Sequence, residues 1–317
     1  MKNKFIKNTF LLIIGGFITK ALGMVIKIIM TRNISTYSMS LYTLTLPTYN
    51  LFITIVTLSL TISISKLISE NKIDKEQIMN SSLFLSFIIS IISTIILFIF
   101  VKPISLILHN KELYYPLLSI ILSLPFISIS TCIRGYFFGK NKMFVQVVSN
   151  FFEQLSRIVL FIIVLPKLNN DVQSVMFIVG SNMISEIISI LTMSLFLPKR
   201  KMKISKPDKK ITNEILKISI PSTLQKLIAV ISYFFEPIIL TNLLLANGYT
   251  NNYISTEYGI INGYTIQLLM LPSFFTNAIS QVIIPNLSNA YINKKYQNIK
   301  TKIKQVLVLS LFIGISY

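Results

Sequence analysis

Thr131-Cys132-Ile133-Arg134-Gly135-Tyr136-Phe137-Phe138-Gly139-Lys140-Asn141-Lys142 is the stretch that decides how this chain is read. An apolar helix leads into it, and two glycines and three basic residues interrupt the run. An apolar helix then resumes and carries Glu153 and Arg157 in its interior. Oil on both sides of a short basic break reads as a turn between two membrane spans.

Outward from this turn, apolar runs near twenty residues recur in both directions. They predict spans at Phe10–Met30, Leu41–Ile64, Ser81–Val101, Tyr115–Ile133, Val147–Leu165, Ser174–Leu197, Pro221–Leu245 and Gly259–Ile284. A ninth starts near Val306 and is cut off at Tyr317, so the chain reads as the N-terminal part of something longer. Hydrophobic residues make up 53% of the 317 and charged residues only 13%, where a soluble domain carries about a quarter charged. The fold class that follows is an all-α polytopic membrane protein. The first apolar run is too long for the h-region of a secretory signal.

A net charge of +19 in a soluble protein would suggest nucleic acid. Here the basic residues collect in alternate loops: Lys2, Lys4 and Lys7, then Lys66, Lys72 and Lys75, then Arg134, Lys140 and Lys142, then the run from Lys199 to Lys210, then Lys294 to Lys304. The intervening loops hold only Arg32, Lys102, Lys111 and Lys167. The positive-inside rule explains this alternation and places the N-terminus and the even-numbered loops in the cytoplasm. No nucleic-acid partner is expected. The single Cys132 excludes an internal disulfide, and the lone His109 gives no zinc spacing. No metal, cofactor or catalytic constellation is expected, so the chain does not read as an enzyme.

Residues 1–198 read as a six-helix lobe, 199–213 as a basic cytoplasmic linker and 214–317 as the start of a second lobe. A faint echo supports the division: Leu46-Pro47-Thr48-Tyr49 in span two against Leu271-Pro272-Ser273-Phe274 in span eight. Two such lobes would be a parallel repeat of the transporter kind.

Seven charges fall inside the expected spans: Lys20, Lys27, Glu153, Arg157, Glu186, Lys226 and Glu236. Each costs about 2.5–3.5 kcal/mol at the centre of a lipid-facing helix. Together that is on the order of 20 kcal/mol, beyond the roughly 5–15 kcal/mol of a domain's net stability. They must face a cavity, face one another or snorkel. Lys20 and Lys27 are seven residues apart and share one helix side, flanked by Gly16 and Gly23. They read either as cations for an anionic head group or as partners of the buried glutamates. Glu153 and Arg157 are spaced to pair along one helix. Glu186 has no local partner and points to a lysine across the bundle or to a coupling cation. Glu236 stands before Pro237, whose kink frees a carbonyl, a candidate Na⁺ or H⁺ site. Lys226 is a further candidate cation for the head group, or snorkels to the cytoplasm.

Arg134-Gly135-Tyr136-Phe137 with Gly139, followed by Glu153-Gln154-Leu155-Ser156-Arg157, resembles the stage V sporulation protein B family, whose members show an R-G-Y-F-x-G loop and an E-Q-x-x-R helix. Glu257-Tyr258-Gly259-Ile260-Ile261-Asn262-Gly263 and Thr276-Asn277-Ala278-Ile279-Ser280 with Ile284-Pro285 are similar to two more of its patterns. The resemblance implies the polysaccharide-transporter branch of the multidrug, oligosaccharidyl-lipid and polysaccharide exporter superfamily, which includes lipid II flippases. It implies a MATE-like two-lobe bundle, alternating access and a lipid-linked saccharide substrate among membrane lipids, in this family for spore cortex peptidoglycan. Lys20-Ala21-Leu22-Gly23 is similar to the basic-x-Leu-Gly motif of lipid II flippases, whose arginine faces the central cavity. In place of their further cavity arginines, span eight here has Gln267, Asn277 and Gln281.

The function expected is thus the flipping of an undecaprenyl-linked cell-wall precursor, with Na⁺ or H⁺ as candidate coupling ions. Two other readings stand beside it. A drug or organic-cation exporter of the same fold calls for an acidic cavity, and a membrane scaffold for cell-wall synthases calls for fully paired buried charges and a closed interior.

Overall fold

The computed structural model describes residues 2–197, 207–269 and 296–316. These residues are helical nearly throughout. In chain order the helices are α1 (Lys2–Asn33), α2 (Thr36–Thr57), α3 (Leu60–Glu70), α4 (Lys75–Ile107), α5 (Tyr114–Gly139), α6 (Met143–Val164), α7 (Asp171–Ser194), α8 (Lys209–Ala246), α9 (Asn251–Ile260) and α10 (Ile266–Leu269). A π turn, Ile261–Thr265, joins α9 to α10, and a last described helix covers Tyr296–Ser316. Seven helical stretches among the described residues are long and apolar enough to cross a bilayer, with α2 and α3 counted as one. The expected eighth span begins in α9, and most of it lies outside the described residues together with Leu271–Phe274, Thr276–Ser280, Ile284–Pro285 and most of the 199–213 linker.

Caps set the helix starts. Ser35, Asp74, Asn170, Asp208 and Thr250 each accept a backbone N–H at the first turn of α2, α4, α7, α8 and α9, satisfying donors that a helix otherwise leaves open.

The packing is inverted relative to a soluble bundle. α4 turns Phe84, Phe87, Ile91, Ile95 and Phe98 outward and buries Ser82, Ser86, Ser90 and Ser93. Large apolar side chains suit lipid on the outside, while small hydroxyls allow helices to approach and to bond across the contact. Ser86 bonds Ser128 of α5 at 2.5 Å, Ser149 of α6 bonds Ser189 of α7 at 2.6 Å, and Ser63 of α3 bonds Ser219 of α8 at 2.8 Å. Buried leucines and isoleucines fill the remainder, with α2, α4, α5 and α7 around one cluster and α3, α4, α5 and α8 around another.

Two sequence expectations are corrected here. Span two is not one helix: Leu58 (φ 41°) and Ser59 (φ 48°) take left-handed backbone between α2 and α3. More consequential, Arg134, Gly135, Tyr136 and Gly139 do not form a loop. They are the last two turns of α5, and the chain turns only at Lys140–Lys142. The glycines are there for packing. A Cβ on Gly135 would lie 2.9 Å from the Ile64 side chain, and one on Gly139 would lie 2.7 Å from that of Ile68. The Gly-x-x-x-Gly spacing thus makes the groove in which α3 lies. Gly259 and Gly263 repeat the device against Ser40 and Met39 of α2.

Candidate functional site: a lysine-walled cavity beside a buried ion cluster

α1 packs principally on α6. Gly15 stands against Val147, and further along Ile26 and Met30 pack with Phe161 and Leu165. The two helices therefore run parallel. α2 packs instead on α5, α8 and α9. Between α1 and the α2–α9 pair a cavity of about 770 Å³ remains.

Lys20 and Lys27 both line this cavity, with Thr19, Gly23 and Thr31 on the same wall. Tyr42 and Thr43 of α2 and Gln154 of α6 contribute, and Asn262, Gly263 and Tyr264 close it from the π turn. Gly23 has open space where a Cβ would stand. The only charged groups among the described lining residues are the two lysines. Such a wall is suited to an anion, since a lysine ammonium offers a compact charge with three donors.

A second constellation lies beside it, between α5, α6 and α7. One terminal nitrogen of Arg134 donates to Glu153 at 2.7 Å, to Ser189 Oγ at 3.1 Å and to Glu186 at 3.4 Å. Arg157 reaches the other oxygen of Glu153 at 3.4 Å. Two guanidiniums and two carboxylates thus form a neutral set, with Glu153 8% and Glu186 9% exposed. The Nε–H groups of Arg134 and Arg157 are buried without a hydrogen-bond partner.

The seven charges read from the sequence are therefore divided. Lys20 and Lys27 meet at the cavity, and Glu153, Arg157 and Glu186 meet in the cluster. In the structure Glu186 is paired with Arg134, taken above for a cytoplasmic loop charge. Lys226 and Glu236 sit exposed on α8, and neither lines the cavity or joins the described ion pairs. Sequence reasoning missed Arg134 because an arginine beside a glycine breaks an apolar run and so imitates a loop. The four-residue glycine spacing was the signal that the helix continued. Tyr42 and Tyr264 were also missed, and Asn262 and Gly263 were read only as part of a motif, because the packing of separate helices decides which side chains meet a cavity.

These features define a multi-pass helical protein of the bacterial cell membrane, with a cavity walled by its first span. The chain belongs to the family described as polysaccharide biosynthesis protein, whose model matches residues 5–291. It is 31% identical to stage V sporulation protein B of Bacillus subtilis (strain 168), an alignment covering 99% of this chain and 64% of that protein. It is 22% identical to the lipid II flippase MurJ of the same organism, over 99% of this chain and 63% of the relative. The chain thus spans a little under two thirds of the length of either relative. Among solved structures it is similar to the MATE multidrug transporter DinF-BH, with a TM-score of 0.68 at 15% identity, covering 99% of this chain and 70% of that one. That likeness establishes the MATE fold.

Proposed function

We propose that the chain is part of a membrane transporter that moves a lipid-linked, anionic saccharide precursor of the cell wall across the bilayer by alternating access. The observation that carries this reading is the placing of Lys20 and Lys27 on one wall of the cavity. A diphosphate bears its charge next to the lipid tail, so the lysines hold the head group while the tail stays among membrane lipids. Family membership and the likeness to stage V sporulation protein B support the wall-precursor class, with spore cortex peptidoglycan as the specific proposal. A drug exporter for organic cations would be served poorly by this wall, since the two ammonium groups would repel the cargo.

Binding of undecaprenyl diphosphate to the purified chain tests the reading. A charge-assisted hydrogen bond contributes about 1.5–3 kcal/mol, so Lys20→Ala is expected to weaken binding about ten- to hundredfold. Lys20→Ala together with Lys27→Ala should weaken it further. An unchanged Kd in the double variant would overturn the assignment.

A further inference from the structure

The buried cluster and the cavity share one helix, and Arg157 stands between them. Glu153 lies on the cluster side of α6 and Gln154 on the cavity side. At about 100° per residue, Arg157 sits one turn on, roughly 40° around the helix from Glu153 and roughly 60° from Gln154. A long guanidinium on that position has both neighbourhoods in reach. Tyr42, which lines the cavity, lies within electrostatic reach of Arg157.

The two arginines are not held equally. Arg134 has three acceptors, the nearest at 2.7 Å. Among the described residues Arg157 has one acceptor, Glu153 at 3.4 Å through a single nitrogen, and its Nε–H is buried without an acceptor. A guanidinium saturates its donors best in a bidentate fork on a carboxylate or phosphate, and Arg157 falls short of that here. It is the counter-ion with less to lose by leaving.

Its departure has an electrostatic consequence. Glu153 and Glu186 each have an oxygen within 3.4 Å of the same Arg134 nitrogen. With Arg157 present, two positive charges balance two negative ones. Without it, two buried carboxylates share one positive charge, and such a pair lowers its energy by holding a proton between them. Among the described residues, the titratable or charged groups that face the pair are Arg134 from α5, Arg157 from α6 itself and Tyr49 from α2, while Tyr42 of α2 faces Arg157. Lys20 and Lys27 of α1 line the adjoining cavity.

We propose that Arg157 is an exchangeable counter-ion. When it turns from Glu153 to a phosphate oxygen in the cavity, the Glu153–Glu186 pair takes up one proton from solvent, and when the phosphate leaves it returns and the proton is released. The charge balance closes, because one guanidinium charge transferred to the ligand is replaced by one proton. Ligand occupancy and proton occupancy are thereby coupled in a positive sense. For the identity of the ligand this rests on the function proposed above.

The test has two arms. In weakly buffered nanodiscs, undecaprenyl diphosphate added to the wild-type chain should draw about one proton per lipid bound, read with a pH-indicating dye. Glu186→Gln should bind the lipid and draw none. Binding without proton uptake by the wild type would overturn the proposal. The second arm needs no ligand. Arg157→Gln should show in the infrared the carbonyl band of a protonated carboxyl, absent from wild type and from Arg157→Lys, and lost again when Glu186→Gln is added. No such band in a folded Arg157→Gln protein would overturn the proposal on its own. Failure of the wild type to bind undecaprenyl diphosphate would count against the transporter reading, and the infrared comparison would then decide the proton site.

Discussion

Arg134 holds two carboxylates and a serine through one nitrogen, and so ties the buried charges of α6 and α7 to α5. Removing one partner of a buried ion pair costs about 3–5 kcal/mol, because the remaining charge is left in a medium that cannot solvate it. Arg134→Met is therefore expected to lower the unfolding midpoint steeply in a detergent melt. Glu186→Gln placed on that background should recover part of the loss by removing the excess negative charge. A melt unaffected by Arg134→Met would mean the cluster contributes little to the fold. At this scale the sequence was only half legible. The pairing of Glu153 with Arg157 follows from their spacing, and the structure has it at 3.4 Å. The pairings of Arg134 with Glu153 and Glu186 span 19 and 52 residues, and no local pattern reports a contact that tertiary packing alone creates.

Among the elements, the segment joining α2 to α3 is the clearest departure from what hydropathy shows. Ser59 is buried, adopts φ 48°, and has a hydroxyl without a hydrogen-bond partner. Left-handed backbone costs a non-glycine residue about 1–2 kcal/mol, and an unsatisfied buried hydroxyl costs about as much again. Ser59→Gly relieves both, against about 0.5–1 kcal/mol of added chain entropy. It should raise the melting midpoint. The helix-groove glycines act in the opposite direction. Gly139→Leu forces side-chain atoms into Ile68 and should destabilise by about 1–3 kcal/mol or more, the cost of overpacking. Gly23→Ala, with nothing near its added Cβ, should leave the same melt unchanged or slightly raised. Hydropathy found the spans because a lipid-facing surface is a matter of composition. It could not find the break, because Leu58 and Ser59 are ordinary residues in an apolar run and their φ is imposed from outside the segment.

For the whole molecule, α8 is tied to the first six spans near both of its ends. At the end with the basic loops, Ser219 bonds Ser63 at 2.8 Å. At the other, Asn242 Oδ1 lies 3.2 Å from His109 Nε2, and Asn251 of α9 donates to the His109 carbonyl at 2.7 Å. If alternating access moves the second lobe as proposed, these contacts part in turn. A cysteine pair at His109 and Asn242 should then stop head-group translocation in proteoliposomes when oxidised and restore it on reduction. The native Cys132 is fully buried and leaves the readout to the introduced pair. Translocation that continues with the disulfide closed would exclude separation at this end. The break at Leu58 and Ser59 bears on any such motion. It divides one membrane crossing into an arm of 22 residues and an arm of 11. A rigid rod pushed at one tip carries the whole displacement to the other, whereas a jointed lever turns part of it into bending at the joint. A joint there would let the longer arm, seated on Gly259 and Gly263, tilt with the cavity wall. The shorter arm lies in the groove of Gly135 and Gly139, so bending at the joint would change the cavity while the end of α5 that carries Arg134 keeps its packing on α3.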